Sequence, residues 1–266
     1  MSVKDRNGDL EMLLEKIYNE RGWDFRNYKR SSVMRRVSKR LMLLDIPSYG
    51  EYSGLLDRDP SEYDRLFANL TIKVSEFFRE PEVFDRLCDA IKENWRDKVL
   101  KVWCCGCGYG EEAYSIAMLL AECLSLEAIS NTKIFATDID PEALDAARKA
   151  LYRDESLKNV RPDVLDKYFT RTDGLYKVKY GIRNLVKFGV LDIVRSPSIS
   201  GVEVLFCRNL FIYFNKPLQA QVFEKLDYSL KPGGLLVLGK AEVIPPLFAH
   251  KYAPVGTRLS TFRKRT

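Results

Sequence analysis

Three glycines at alternate positions, Gly106, Gly108 and Gly110, end an apolar run over residues 99–105 and are followed at once by two acids, Glu111 and Glu112. Glycine there permits a tight turn and lets backbone approach a ligand closely. The spacing is G-x-G-x-G, which differs from the G-x-G-x-x-G of dinucleotide-binding turns. Acids in the first turn of the following helix repel a bound phosphate, so the expected ligand carries an amine or another cation instead. Asp138 closes a second apolar run, where a carboxylate can accept from both hydroxyls of a ribose. Arg79 follows two aromatics in Ser75-Glu-Phe-Phe-Arg79, and its planar guanidinium suits a carboxylate. Cys207-Arg208-Asn209 ends a further apolar run, which puts Arg208 and Asn209 where open α/β sheets bind ligands. Tyr213, four residues beyond Asn209, offers an aromatic face to a cation.

A ligand with a ribose, an adenine, an amino acid tail and a sulfonium, but no phosphate, is S-adenosylmethionine, and these residues together fit it. Each also has a plainer reading. The glycines alone make an ordinary strand-to-helix turn, Phe77 and Phe78 are core aromatics, and Asp138 is a helix cap, although Asp140 followed by Pro141 already fills that role. Cys104-Cys105-x-Cys107 lacks the paired C-x-x-C spacing of structural zinc and has no histidine near it, so no metal site is expected. The single histidine, His250, argues against Ser-His-Asp, Cys-His and multi-His metal chemistry.

The elements that must position these residues fall into two textures. The chain has 266 residues, 46% hydrophobic and 30% charged, a globular composition long enough for two modest domains. Residues 1–80 read as a helical domain. Leu10, Leu13, Leu14 and Ile17 keep helical spacing, with Asp9 as the expected cap and Gly22 as the stop. Residues 26–40 hold seven bases and no acid, and Val33, Met34, Val37, Leu41 and Leu44 are expected on one face of a helix with the bases on the other. From residue 81 to 266 short apolar runs alternate with helical stretches, the pattern of a doubly wound parallel sheet. Residues 164–190 interrupt it and predict a small β insertion, with antiparallel strands at 176–180 and 185–188 around Asp173-Gly174 and Gly181. Residues 258–263 predict a final edge strand. No apolar run approaches the length of a membrane span, and the amino terminus lacks a signal-like apolar stretch. Six reduced cysteines and a cytoplasmic location are therefore expected. The net charge of +6 permits an acidic partner without requiring nucleic acid.

Several strings together are far more specific than the glycine turn. Phe77-Phe78-Arg79-Glu80, Gly110-Glu111-Glu112-Ala-Tyr-Ser-Ile-Ala117, Ala136-Thr-Asp138-Ile-Asp140, Tyr168-Phe169, Phe206-Cys207-Arg208-Asn209-Leu-Phe-Ile-Tyr213-Phe214 and Pro232-Gly-Gly234 stand in one chain with the basic stretch. In these strings the chain resembles the CheR-type chemotaxis receptor methyltransferases over nearly its whole length. The resemblance implies a Rossmann-like domain that uses S-adenosylmethionine, an N-terminal helical domain, and an inserted antiparallel β subdomain. It implies methylation of glutamate side chains on chemoreceptors, with S-adenosylhomocysteine as product. Cofactor contacts carried over by the resemblance are Ser75, Arg79, Glu112, Asp138, Asp192, Ile193, Cys207 and Arg208, beside Gly106 and Asn209 from the spacing itself. Arg79, Tyr213 and Arg208 are the implied catalytic set.

The chain departs from the family pattern in three places. Lys73 stands where the family has Asn, Ser75 replaces Thr and keeps the hydroxyl, and Asp192-Ile193 replaces Asn-Leu. The resemblance also implies docking of the receptor's methylation region on the basic helix, and the short stretch 171–176 implies that the receptor's C-terminal pentapeptide tether is not used. Two alternatives remain. One is a nucleic-acid methyltransferase, although Arg208-Asn209-Leu210 stands where amino-methylating enzymes carry N/D-P-P-Y/F. The other is a sensory module that binds the cofactor without turnover.

Overall fold

The computed structural model describes residues 8–71, 75–256 and 260–266. The chain divides into two compact units, Met1–Ile72 with Tyr213–Gln221, and Lys73–Ile212 with Val222–Thr266.

The first unit contains α1 (Asp9–Arg21), α2 (Arg30–Leu43), α3 (Tyr49–Arg58) and α4 (Ser61–Leu70). Helix α1 buries Leu10, Leu13, Leu14 and Ile17, and Gly22 ends it in a left-handed conformation, as the spacing predicts. The expected cap moves by one residue: Gly8 precedes the helix and Asp9 is its first residue. The basic helix starts later than expected. Tyr28 forms an isolated antiparallel bridge with Phe214, and the Lys29 amide donates to the Tyr213 carbonyl at 2.7 Å, so Arg26 and Lys29 precede α2. Val33, Val37 and Leu41 are buried; Met34 is exposed and Leu44 lies beyond the helix end.

The bases of this stretch do not form one solvated face. Arg40 turns inward and grips Glu62 with two bonds of 2.6 Å, and Tyr52 donates to the same carboxylate at 2.7 Å. Arg36 donates to the carbonyls of Leu70 at 2.6 Å and Asn69 at 3.4 Å. Arg26 pairs with Asp24 and Glu15, and Arg30 with Glu11. Helical periodicity sorts residues by face, but it does not show that acids on α1 and α4 reach across to these bases.

The second unit carries α5 (Pro81–Trp95), β1 (Lys101–Cys105), α6 (Glu111–Cys123), α7 (Leu126–Asn131), β2 (Lys133–Asp138), α8 (Pro141–Lys149), β3 (Leu151–Tyr152) and α9 (Pro162–Tyr168). It continues with β4 (Phe169–Thr172), β5 (Leu175–Val178), α10 (Tyr180–Arg183), β6 (Val186–Val190) and β7 (Val202–Cys207). Helix α11 (Lys216–Ser229) begins in the first unit and ends in the second, followed by β8 (Leu230–Leu238), β9 (Tyr252–Pro254) and β10 (Thr261–Lys264). The main sheet has the order β6-β2-β1-β7-β8-β10-β9. Its first five strands run parallel, while β10 is antiparallel to both β8 and β9. This is the expected Rossmann-like α/β fold.

The β insertion is a three-stranded antiparallel sheet, β3-β5-β4. Asp173 and Gly174, both at positive φ (51° and 77°), make its two-residue hairpin turn. Residues 186–188 of the expected 185–188 strand belong not to this insertion but to β6, which pairs in parallel with β2 at the edge of the main sheet. A short apolar run does not reveal its partner, and both readings keep the same residues extended. The C-terminal strand likewise is not an edge, because β9 covers it.

Cys88 on α5 and Cys123 on α6 are joined in a disulfide, with Cα atoms 5.6 Å apart, against the expectation of six free thiols. The two helices pack side by side, which a count of cysteines does not reveal. Cys104, Cys105, Cys107 and Cys207 are free and buried. No helix among the described residues is long and apolar enough to cross a membrane.

Candidate active site

The carboxyl ends of β1, β2 and β7 lie side by side, and the second unit gathers its chemistry there. After β1, Gly106 and Cys107 donate to the carbonyl of Thr137 at 2.8 and 3.0 Å, which folds the glycine turn over the end of β2. The turn then depends on Gly110. With φ at 91°, it packs so tightly that a Cβ there would stand 2.9 Å from that of Ala147 and 3.2 Å from the Phe188 ring. A Cβ at Gly108, in contrast, would meet nothing within 4 Å, so this part of the turn faces open space.

Asp138 holds the turn in place. One carboxylate oxygen accepts from the Gly108 amide at 2.8 Å and the other from the Asp140 amide at 3.0 Å. An ionised carboxylate only accepts hydrogen bonds, at about four positions. The Leu191 amide donates to the Asp138 carbonyl at 3.0 Å, which brings the stretch after β6 to the same edge. There Asp192 accepts from the Val194 amide at 2.9 Å, Ile193 is buried, and Lys225 locks the turn by donating to the carbonyls of Ile193, Val194 and Ser196.

Arg208 is the hub. Its side chain is 1% exposed, and it donates to Glu112 at 2.7 Å, to Glu80 at 3.0 Å and to the Arg79 carbonyl at 2.8 Å. Burial pulls its pKa down, and the two carboxylates more than reverse this, so the guanidinium stays charged. The electrostatics therefore differ from the expectation of two acids repelling anions at the start of α6. Glu112 is already paired, and Glu111 turns inward.

Glu111 is 4% exposed. Ser156 donates to one of its oxygens at 3.4 Å, Ser75 bonds the same carboxyl, and burial pushes its pKa up. Ser75 is thus tied to the first turn of α6. Lys73 lies outside the described residues.

The segment that presents Arg79 is held unusually firmly. Phe78 and Glu80, on either side of it, both adopt left-handed backbone, with φ of 49° and 61°. Such conformations cost about 1–3 kcal/mol each for residues other than glycine and persist only where the surroundings enforce them. Here the Phe77 amide donates to the Ser156 carbonyl at 3.0 Å and the Phe78 amide to the Ser115 hydroxyl at 2.9 Å. The Phe77 ring meets Tyr152 and Phe169 edge-on, while the Phe78 ring packs on Phe84.

Cys207 is fully buried, and its bond with Cys105, together with burial, keeps its thiol protonated. Asn209 follows in left-handed backbone at φ 59°. Tyr213 belongs to the first unit, where its ring lies 5.4 Å from the guanidinium of Arg36. Second-unit residues that the sequence reading missed are Glu80, which pairs with Arg208, Ser115, which accepts from the Phe78 amide, and Glu242, whose carboxylate binds the loop after β7. Glu80 and Ser115 sit inside quoted strings with no role marked for them, and Glu242 has no motif at all.

A glycine turn after β1, an acid at the end of β2 and an arginine hub at the end of β7 define a Rossmann-like methyltransferase site. The set fits S-adenosylmethionine: open space at Gly108, a carboxylate at the end of β2, and a glycine turn that lets backbone approach a ligand. The chain matches the CheR methyltransferase SAM binding domain over residues 73–258 and the CheR all-alpha domain over residues 8–71. It belongs to the CheR methyltransferase family and is an S-adenosylmethionine-dependent methyltransferase. It is 36% identical to the chemotaxis protein methyltransferase of Escherichia coli (strain K12) over 85% of this chain and 81% of that one. It is 36% identical to chemotaxis protein methyltransferase 2 of Pseudomonas aeruginosa over 88% and 86%. It is 34% identical to the chemotaxis protein methyltransferase of Salmonella typhimurium over 85% and 80%.

Proposed function

We propose that this enzyme transfers the methyl group of S-adenosylmethionine to glutamate side chains of chemoreceptors in the cytoplasm, forming methyl esters. The observation that carries the reading is the hold on Arg79, whose carbonyl is bonded to Arg208 and whose two neighbours are kept in left-handed backbone. A guanidinium presented on so constrained a segment is suited to orienting a carboxylate. When bound, S-adenosylmethionine supplies a methyl on a sulfonium, and a glutamate oxygen bonds to that carbon as the carbon–sulfur bond breaks, leaving S-adenosylhomocysteine.

A free glutamate has a pKa near 4.3 and is ionised at neutral pH, so no general base is needed. The protein's task is proximity and orientation. Asp138 binds the ribose, with Gly106, Asp192, Ile193, Cys207 and Asn209 lining the adenosyl part. Ser75 and Glu112 meet the amino acid tail. Arg79 presents the glutamate, and Arg208 fixes Arg79 and Glu112.

The receptor docks through the bases that the first unit leaves exposed. Lys29, Arg35 and Lys39 have no ion-pair partner among the described residues, and Arg35 and Lys39 are one turn apart on α2. The pentapeptide tether is not used, a reading supported by the two-residue hairpin between β4 and β5. Nucleic acid is not a substrate.

The experiment is transfer of a labelled methyl to a receptor signalling fragment. Base-labile label, lost when the target glutamates are changed to alanine, is the expected result. Arg79→Ala should lower the rate by roughly a hundredfold or more, as expected for a lost charged positioning group, with the melting curve unchanged. Unchanged turnover would remove Arg79 from the mechanism.

A further inference from the structure

We infer that Glu242 is a positioning residue for methyl transfer, because its single buried carboxylate sets the shape of the loop that follows β7. Glu242 lies beyond the end of β8 and is 5% exposed. One of its oxygens accepts from the Asn209 amide at 2.8 Å and from the Gly239 amide at 2.7 Å. The other accepts from the Ile212 amide at 3.4 Å, and the Phe211 amide adds a further bond. Almost every amide in the stretch from Asn209 to Ile212 therefore points at one side chain.

The fit is close. A Cβ at Gly239 would come within 2.8 Å of the Glu242 carboxylate and of the Asn209 side-chain nitrogen, and 2.9 Å from the Asn209 amide. Glycine at 239 is what lets β8 end against the loop. Asn209 itself holds φ at 59°, a conformation that the carboxylate enforces by fixing its amide. Backbone amides converging on a carboxylate are charge-assisted bonds, stronger than the bonds an uncharged side chain would make.

Two residues of the loop's own strand end matter most. Arg208 immediately precedes Asn209, and its guanidinium bridges Glu112 and Glu80. The Asn209 amide belongs to the peptide that joins it to Arg208, so Glu242 fixes the backbone from which the Arg208 side chain projects. Glu242 thus acts on the pocket through the loop, touching neither cofactor nor substrate. This inference rests on placing Cys207, Arg208 and Asn209 in the cofactor pocket.

The test uses the full chain and S-adenosylhomocysteine as the probe. In the wild type, amide exchange over residues 207–212 should slow when the probe binds; if the probe binds without protecting that stretch, the placement of the loop fails. In Glu242→Ala, exchange at Asn209, Phe211, Ile212 and Gly239 should accelerate selectively. The dissociation constant should rise roughly tenfold to a hundredfold, the loss expected for hydrogen bonds to a charged group. Glu242→Gln keeps one acceptor oxygen and should fall between wild type and alanine, with exchange at Ile212 still raised if the alanine variant does not fold.

Asp227 serves as the control for stability alone. It is also buried, but it pairs with Lys251 and Lys264 away from this loop. Asp227→Asn should lower the melting temperature and leave probe affinity unchanged. Wild-type affinity and wild-type exchange at residues 209–212 in a folded Glu242→Ala or Glu242→Gln would overturn the inference.

Discussion

Arg208 and Glu112 are 96 residues apart in the chain and meet at 2.7 Å, with the arginine side chain 1% exposed and the glutamate 12%. The pair joins the end of β7 to the first turn of α6, and through Glu80 it reaches the start of α5. Three elements of the pocket are thus set by one guanidinium.

Glu112→Gln should therefore affect stability as well as the cofactor binding proposed for Glu112. It leaves Arg208 with Glu80 as its only carboxylate, at a cost of about 1–3 kcal/mol for a buried charged group short of a partner. A lower melting temperature and weaker binding of S-adenosylhomocysteine by calorimetry are expected together. A variant that binds and melts like wild type would show that the pair is dispensable.

Glu62 makes the first unit sensitive to acid. Burial pushes its pKa up, but Arg40 and Tyr52 more than reverse this, and it lies below its ordinary value of 4.5. A carboxyl with a lowered folded pKa contributes stability above the unfolded value, and that contribution is lost as pH falls through the folded one. Glu62→Gln should destabilise this unit by about 3–5 kcal/mol near neutral pH, because Arg40 loses its buried partner. The variant should also lose part of the acid dependence of unfolding. Chemical denaturation of both proteins from pH 7 to pH 3 measures the two effects.

Arg35→Glu with Lys39→Glu reverses the charge of the exposed pair on α2. If the receptor docks there, KM for a receptor fragment should rise roughly tenfold or more at low salt, with kcat little changed. The difference should shrink at high ionic strength, where exposed charges are screened. Equal KM values for variant and wild type would exclude this surface as the dock. Arg40 is unsuited to the same test, since its loss damages the fold.

The positions of the candidate polar residues are legible in the sequence because each lies at a strand end or helix start, where glycine spacing and the βαβ rhythm fix positions without tertiary knowledge. Asp138, Arg208 and the Gly106–Gly110 turn stand at the strand ends where the spacing places them. Pro141 marks its neighbour Asp140 as a cap, and Asp140 accepts from the Glu142 and Ala143 amides. Partnerships across the chain were not legible. Arg40 reads as one base among seven until Glu62 is found beside it. Residues 185–188 read as a strand of either sheet until β2 is seen to pair with them. Glu242 is an acid in an unremarkable stretch until the loop amides are seen to converge on it. Cys88 and Cys123 are 35 residues apart, and only the packing of two helices brings them together.

The left-handed pair at Phe78 and Glu80 has a consequence for the order in which the enzyme can be assembled. The bonds from Arg208 to Arg79 and Glu80 span 129 and 128 residues. A ribosome must therefore deliver the chain through β7 before that clamp can close on the segment. Until then the Ser115 and Ser156 bonds and the ring contacts of Phe77 and Phe78 hold the segment without the Arg208 clamp. A nascent chain interrupted ahead of residue 202 would own the glycine turn and both early strands and still lack the Arg208 bond to the Arg79 carbonyl.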